Sequence, residues 1–184
     1  MISAPLSLTA LALLALLVGC AHSPDSEIAG AIQPPRALTG WSVAGKAALT
    51  QADSTRTVSI HWQHTDSNQD QVLLSGPLGA GALELRRRGT ELFWLDDGIE
   101  QPLTSLPMHS EARSAADTLP LISISDWLLG YPEPVDGWSV AVTEWQQVDG
   151  WRVPRRIKAH RDDVSVKLVP VSYTHLTLPT ICSV

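Results

Sequence analysis

The sequence predicts a mainly β protein: an antiparallel sheet that curls into a barrel or half-barrel, with a small α insert. Three observations carry this. From Trp41 onward apolar and polar residues alternate with period two, turn-forming residues punctuate the alternation at short intervals, and one middle stretch drops it for helix-start residues. Such alternation marks antiparallel strands with one buried face, and strands spaced this closely favour a curled sheet.

Taken in chain order, residues 1–19 carry no charged side chain, and Leu6 to Val18 is an apolar run of signal-peptide length. A spanning helix would need ~20 apolar residues. The run ends Leu17-Val18-Gly19-Cys20, which resembles the bacterial lipobox, where the Cys becomes the lipidated mature N-terminus. Ala21 follows it, and the sorting rule that goes with the lipobox implies export to the outer membrane. Met1 to Pro5 lacks the Lys or Arg usual at a signal start. Residues 21–37, with Pro24, Pro34 and Pro35 and little periodicity, read as a flexible tether.

The expected strands are Trp41 to Gln51, Val58 to Gln63, Gln71 to Ser75, Ala82 to Arg87, Glu91 to Leu95, Trp138 to Thr143, Trp151 to Ala159 and Val164 to Leu168. In the second, Val58, Ile60 and Trp62 share one face while Ser59, His61 and Gln63 share the other. Asp53-Ser54, Asp66-Ser67-Asn68, Arg88-Gly89, Asp96-Asp97-Gly98 and Asp149-Gly150 supply turns. Two short helices are expected, over Ser110 to Asp117 and over Ser125 to Leu129, the second stopped by Gly130 and Pro132. They would cover the open sheet as a lid. Beyond Val169 the chain carries no charge, and Pro170 and Pro179 oppose a strand. The expected organisation is therefore a leader over 1–19, lipidated Cys and tether over 20–38, a β domain over 39–170, and a non-native tail over 171–184.

With 184 residues, 44% hydrophobic against 17% charged, the chain can bury one core, which argues against intrinsic disorder. Thirteen Lys+Arg against nineteen Asp+Glu leave a net charge of -6, which argues against nucleic acid as a partner. Two Cys cannot build a disulfide framework or a four-Cys zinc site. Seven Trp beside one Phe and two Tyr make indoles the main source of large apolar surface.

Recognisable reactive chemistry is missing. His61 and His64, at i and i+3 on a strand, point to opposite faces and make no metal pair. The run Asp66-Ser67-Asn68-Gln69-Asp70 imitates the start of a calcium loop, but Gln71 and Pro77 stand where Gly and Glu are required. The glycines of Gly76-Pro77-Leu78-Gly79-Ala80-Gly81 lack the Lys of a phosphate loop. No metal, cofactor or catalytic residue is expected. What remains is binding of something apolar.

Leu73-Leu74-Ser75-Gly76-Pro77-Leu78-Gly79 followed by Leu83-Glu84-Leu85 resembles the LolB family of outer-membrane lipoproteins. Gly45-Lys46, Trp62-Gln63, Trp127 to Pro132, Gly150 to Pro154 and Lys167-Leu168 fit that family in the same order. The resemblance implies an unclosed, LolA/LolB-like β-barrel with a helical lid. It implies a monomer in the outer membrane of a Gram-negative bacterium, anchored to the inner leaflet through N-palmitoyl and S-diacylglycerol groups on Cys20 and facing the periplasm. It also implies a receptor that accepts client lipoproteins from the periplasmic carrier LolA and inserts them into that membrane, using no enzymatic step. Under it, Pro77, Leu78 and Gly79 form a membrane-insertion loop with Leu78 at the tip, unless Leu78 folds back onto the core. Trp62, Leu74, Leu83, Leu85, Trp94, Trp127, Leu128 and Trp138 are assigned to an acyl-chain cavity or to plain core. The reading from another class is a structural lipoprotein whose β domain serves protein–protein assembly.

Overall fold

A computed structural model describes residues 31–66, 69–77, 81–107 and 119–174. Nine antiparallel strands form one sheet in the order β6-β5-β4-β3-β2-β1-β9-β8-β7. These are β1 (Trp41–Gln51), β2 (Ser54–Asp66), β3 (Gln69–Ser75), β4 (Leu83–Arg88), β5 (Glu91–Asp96), β6 (Ile99–Pro102), β7 (Ser139–Val148), β8 (Trp151–Arg161) and β9 (Val164–Thr174). β6 and β7 do not pair, so the barrel is unclosed. One α-helix, α1 (Leu121–Leu128), and a 3-10 turn over Leu103–Ser105 interrupt the strand series among the described residues.

The alternation works as the sequence implies. On β2, Ile60, Trp62 and His64 are buried while Ser59, His61 and Gln63 are exposed, and the inner residues of the other strands join them in one core. Trp41, Trp127 and Trp138 are the largest fully buried side chains in it.

Several boundaries differ from the sequence expectation. α1 begins at Leu121, four residues before the expected Ser125, because Leu121 and Ile124 supply a buried face that the Ser125 start signal hides. The other expected helix, over 110–117, lies outside the described residues. β6 was not expected; its four residues pair with β5 through Phe93↔Pro102 to Asp96↔Ile99, a run too short to show a period. β7 begins after Trp138 and runs on to Val148 through two register shifts against β8. Bulges of this kind disguise the alternation.

The expected tether is not free over its last part. Pro34 and Leu38 are fully buried, the Ile32 carbonyl accepts from the Arg152 amide at 2.8 Å, and the Pro34 carbonyl accepts from the Tyr131 hydroxyl at 2.8 Å. Arg36 pairs with Glu133 and lies 4.4 Å over the Tyr131 ring. Residues 31–38 are thus a strap across the turn that follows α1, with Pro34 serving as packed surface.

The β domain also continues past Pro170. Pro170 pairs with Gly45 and Ser172 with Ala44, so Val171 is an extra, bulged residue and β9 runs to Thr174. A β-carbon on Gly45 would collide with the Val169 carbonyl oxygen and stand 2.9 Å from the Pro170 Cα. Proline is tolerated here because the ladder is already broken and Gly45 gives its backbone room. Gly45→Ala is expected to lower the thermal midpoint by about 5 °C, the effect of roughly 1–3 kcal/mol of overpacking in a domain of this size. A melt of the two proteins measures it.

Candidate functional site

The inner faces of β1, β2, β3, β4 and β9 enclose a cavity of about 210 Å³ beneath α1. Ala47, Leu49, Val58, Ile60, Val72, Val166 and Leu168 form its floor and walls, together with three residues the sequence nominated, Trp62, Leu74 and Leu83. Leu119 and the α1 residues Leu121 and Ile124 roof it. Among the lining residues only Arg56 is charged; it and Gly81 are both exposed and mark the rim. Gly81 is the downstream flank of the β3–β4 connection. Pro77, exposed, is the upstream flank; Leu78 and Gly79 lie outside the described residues, as does Cys20.

The other nominated residues sit elsewhere. Trp127, Leu128 and Trp138 are fully buried core away from the cavity, Leu85 is buried beside it, and Trp94 is half-buried near the sheet edge with its N–H donated to Ser105 Oγ at 3.0 Å. The run of indoles therefore divides by strand position. Trp62 alone among them presents its ring to the cavity.

Behind Trp62 stands a buried polar node that sequence reasoning missed. Register places His64 on β2 opposite Asp70 on β3, and Asp70 opposite Arg87 on β4. Asp70, 4% exposed, accepts from Trp62 Nε1 at 3.0 Å and from His64 Nδ1 at 2.7 Å on one oxygen, and from Arg87 Nε at 2.5 Å on the other. Trp41 stacks on the His64 ring with centroids 5.1 Å apart. Burial pushes the Asp70 carboxyl up, but the hydrogen bonds from His64, Trp62 and Arg87, with the Arg87 charge, outweigh it and hold it below the ordinary range. The available signal was the inward alternation position of Asp70. Its place in the calcium-like run concealed it.

The two ends of α1 are held unequally. At its C-terminus Gly130, φ +92°, closes the helix: its amide donates to the Trp127 carbonyl at 3.0 Å and the Tyr131 amide to the Asp126 carbonyl at 2.9 Å. The buried Tyr173 hydroxyl lies 3.0 and 2.9 Å from the Leu128 and Pro154 carbonyl oxygens, which share its one O–H. Burial pushes that hydroxyl's pKa far up, so it stays a donor. At the N-terminus the cap is Pro120, with no side-chain cap bond. The roof is thus tied by side-chain and backbone hydrogen bonds at its C-terminal end and held over the cavity at the other by the packing of Leu121 and Ile124.

The family model described as "Outer membrane lipoprotein LolB" matches residues 39–136, more than half of the chain. The chain belongs to the LolB family. Among similar curated proteins, the outer-membrane lipoprotein LolB of Alkalilimnicola ehrlichii is 29% identical, over 79% of this chain and 82% of the relative. The LolB proteins of Halorhodospira halophila and Shewanella loihica are 26% and 27% identical over 85% and 93% of this chain, and over 89% and 88% of their own lengths. Among solved structures, a LolA superfamily protein from Nitrosomonas europaea matches with a TM-score of 0.50 at 12% identity, covering 77% of this chain and 88% of that one. The fold is therefore LolA-like. LolB-family membership places the chain among the outer-membrane lipoproteins of the Lol system.

Proposed function

We propose that this LolB-family chain, anchored by lipid on Cys20 and facing the periplasm, accepts the acyl chains of client lipoproteins from LolA and inserts the clients into the outer membrane. The observation that carries this is the apolar cavity under α1, whose rim includes the flank of the β3–β4 connection bearing Leu78. Exposing acyl chains to water costs about 0.8 kcal/mol per methylene, so a client with three chains needs a continuous apolar path. With no ATP in the periplasm, the path descends an affinity gradient from carrier to receptor to bilayer.

The volume bears on mechanism. A dry cavity of ~150 Å³ holds one benzene, so 210 Å³ receives only a short length of hydrocarbon. Loading a client therefore displaces the roof. α1 swings about its pinned C-terminal end, drawing Leu121 and Ile124 off the sheet.

Titration of the whole chain with a fluorescent fatty acid tests the cavity. Ala47→Phe places a ring in the void and is expected to weaken binding at least tenfold without lowering the thermal midpoint. Binding that survives a filled cavity, or no binding by either protein, would return the assembly reading to first place. For delivery, Leu78→Glu is expected to leave receipt from LolA intact and block transfer to liposomes, because a charge at membrane depth costs up to a few kcal/mol. Equal loss of receipt and delivery would remove Leu78 from the membrane step.

A further inference from the structure

The chain has three lysines, Lys46, Lys158 and Lys167, and all three stand exposed on the convex face of β1, β8 and β9. Register puts Lys158 directly opposite Lys167, while Lys167 pairs with Ala48, which makes Lys46 its diagonal neighbour. Like charges facing each other across a strand pair destabilise a sheet, and none of the three has an ion-pair partner among the described residues. Around them the outer positions are short or neutral: Ser165, Ala141, Thr57, Ser59 and His160. The outer positions of β1, β8 and β9 hold no Asp or Glu, although the chain carries a net charge of -6; on β7 Glu144 stands opposite Arg156 and pairs with it. The acids gather at turns and on the other strands.

Near them β8 adds exposed Arg155, bulged against β7, and two large apolar side chains stand bare, Val171 at 70% and Ile32 at 67% exposure. Ile32 bridges to Trp151 at the start of β8, where the strap leads back toward Cys20.

We propose that this convex face is a second membrane-contact surface, which docks on anionic phospholipid headgroups through Lys46, Lys158 and Lys167. Lysines with flexible stems, set among short or neutral outer residues, match mobile phosphates, and bare Val171 and Ile32 suit an interface with an apolar layer beneath it. An acidic protein would supply fixed charges and favour a shaped, fork-bonding site. The face also extends from the strap leading to the anchor, so the membrane lies within reach. On the row Ser75↔Ser59↔Lys46, β3 ends beside the connection carrying Leu78. A domain resting on this face keeps that connection at the bilayer surface. The inference rests on the outer-membrane part of the proposed function and not on the acyl cavity.

The test uses the exported chain with Cys20→Ala behind an ordinary signal-peptidase site, which keeps every described residue and removes the anchor. Co-sedimentation is measured with phosphatidylethanolamine vesicles containing or lacking phosphatidylglycerol. Binding is expected only with phosphatidylglycerol, falling as salt rises. Lys46→Gln, Lys158→Gln and Lys167→Gln together should lower the partition coefficient about a hundredfold, roughly fivefold per lysine. The triple Lys→Arg variant should retain it, and both variants should melt no lower than the parent. Indifference to phosphatidylglycerol, or full binding by the Gln variant, overturns the proposal. So does a Gln variant that keeps vesicle binding and loses binding to LolA, which would make the face a protein-docking surface. Client and carrier are absent from the vesicle arm, so its failure leaves the cavity reading standing.

Discussion

Asp70→Ala is expected to destabilise the domain by about 3–5 kcal/mol, the range for removing one partner of a buried ion pair. The carboxylate it removes joins three neighbouring strands, accepting from His64 and Trp62 on β2 and from Arg87 on β4. Its loss leaves the Arg87 charge buried without that counter-charge and frees the indole that lines the cavity. Denaturant unfolding measures the stability, and fatty-acid titration should show a weaker site in the fraction that folds. Asp70→Asn keeps the shape and removes the charge, which isolates the ionic part. The pH dependence has a definite sign. The folded state holds this carboxyl below its unfolded value, about 4, so its contribution is present above that value and lost as pH falls through the folded one. The gap between parent and Asp70→Asn should therefore begin to narrow as pH falls below about 4 and close only below the folded value. A constant gap down to pH 2 would mean the charge is not what the node contributes.

Truncation after Pro170, compared with truncation after Thr174, is expected to cost about 3–5 kcal/mol, the usual loss for deleting a buried large aromatic. That corresponds to roughly 10 °C in thermal midpoint at this domain size. Tyr173 is the reason. It is 5% exposed, and its hydroxyl ties the last residue of α1 to β8 through the Leu128 and Pro154 carbonyls. Equal melting of the two truncated chains would show that β9 beyond the bulge adds nothing. Tyr173→Phe separates the hydroxyl from the ring and should cost about 1 kcal/mol.

The strands and the cavity were legible in the sequence for one reason: alternation reports burial directly. Val58, Ile60 and Trp62 share an inward face in both descriptions, and Leu74 and Leu83 reach the cavity from strands visible in the pattern. What escaped notice needed a partner far along the chain. Pro170 reads as a strand breaker until Gly45, across the ladder, is seen to make room for it. The strap reads as a linker until Tyr131 is placed beside Pro34 and Trp151 beside Ile32. Asp70 reads as the end of a calcium-like run until His64 and Arg87 flank it. The lysines, far apart in sequence, become one patch only through the pairing of β8, β9 and β1.

The gap between β6 and β7 sets how this protein can change size. In a closed barrel, strand number and stagger fix the girth, so widening the interior means tearing a hydrogen-bonded seam. Here the seam is missing, and the nine-stranded ladder can flatten or tighten its curl with every backbone pair intact. An open sheet of this kind can widen its interior at the cost of side-chain contacts alone, which a closed barrel of the same strands could not do.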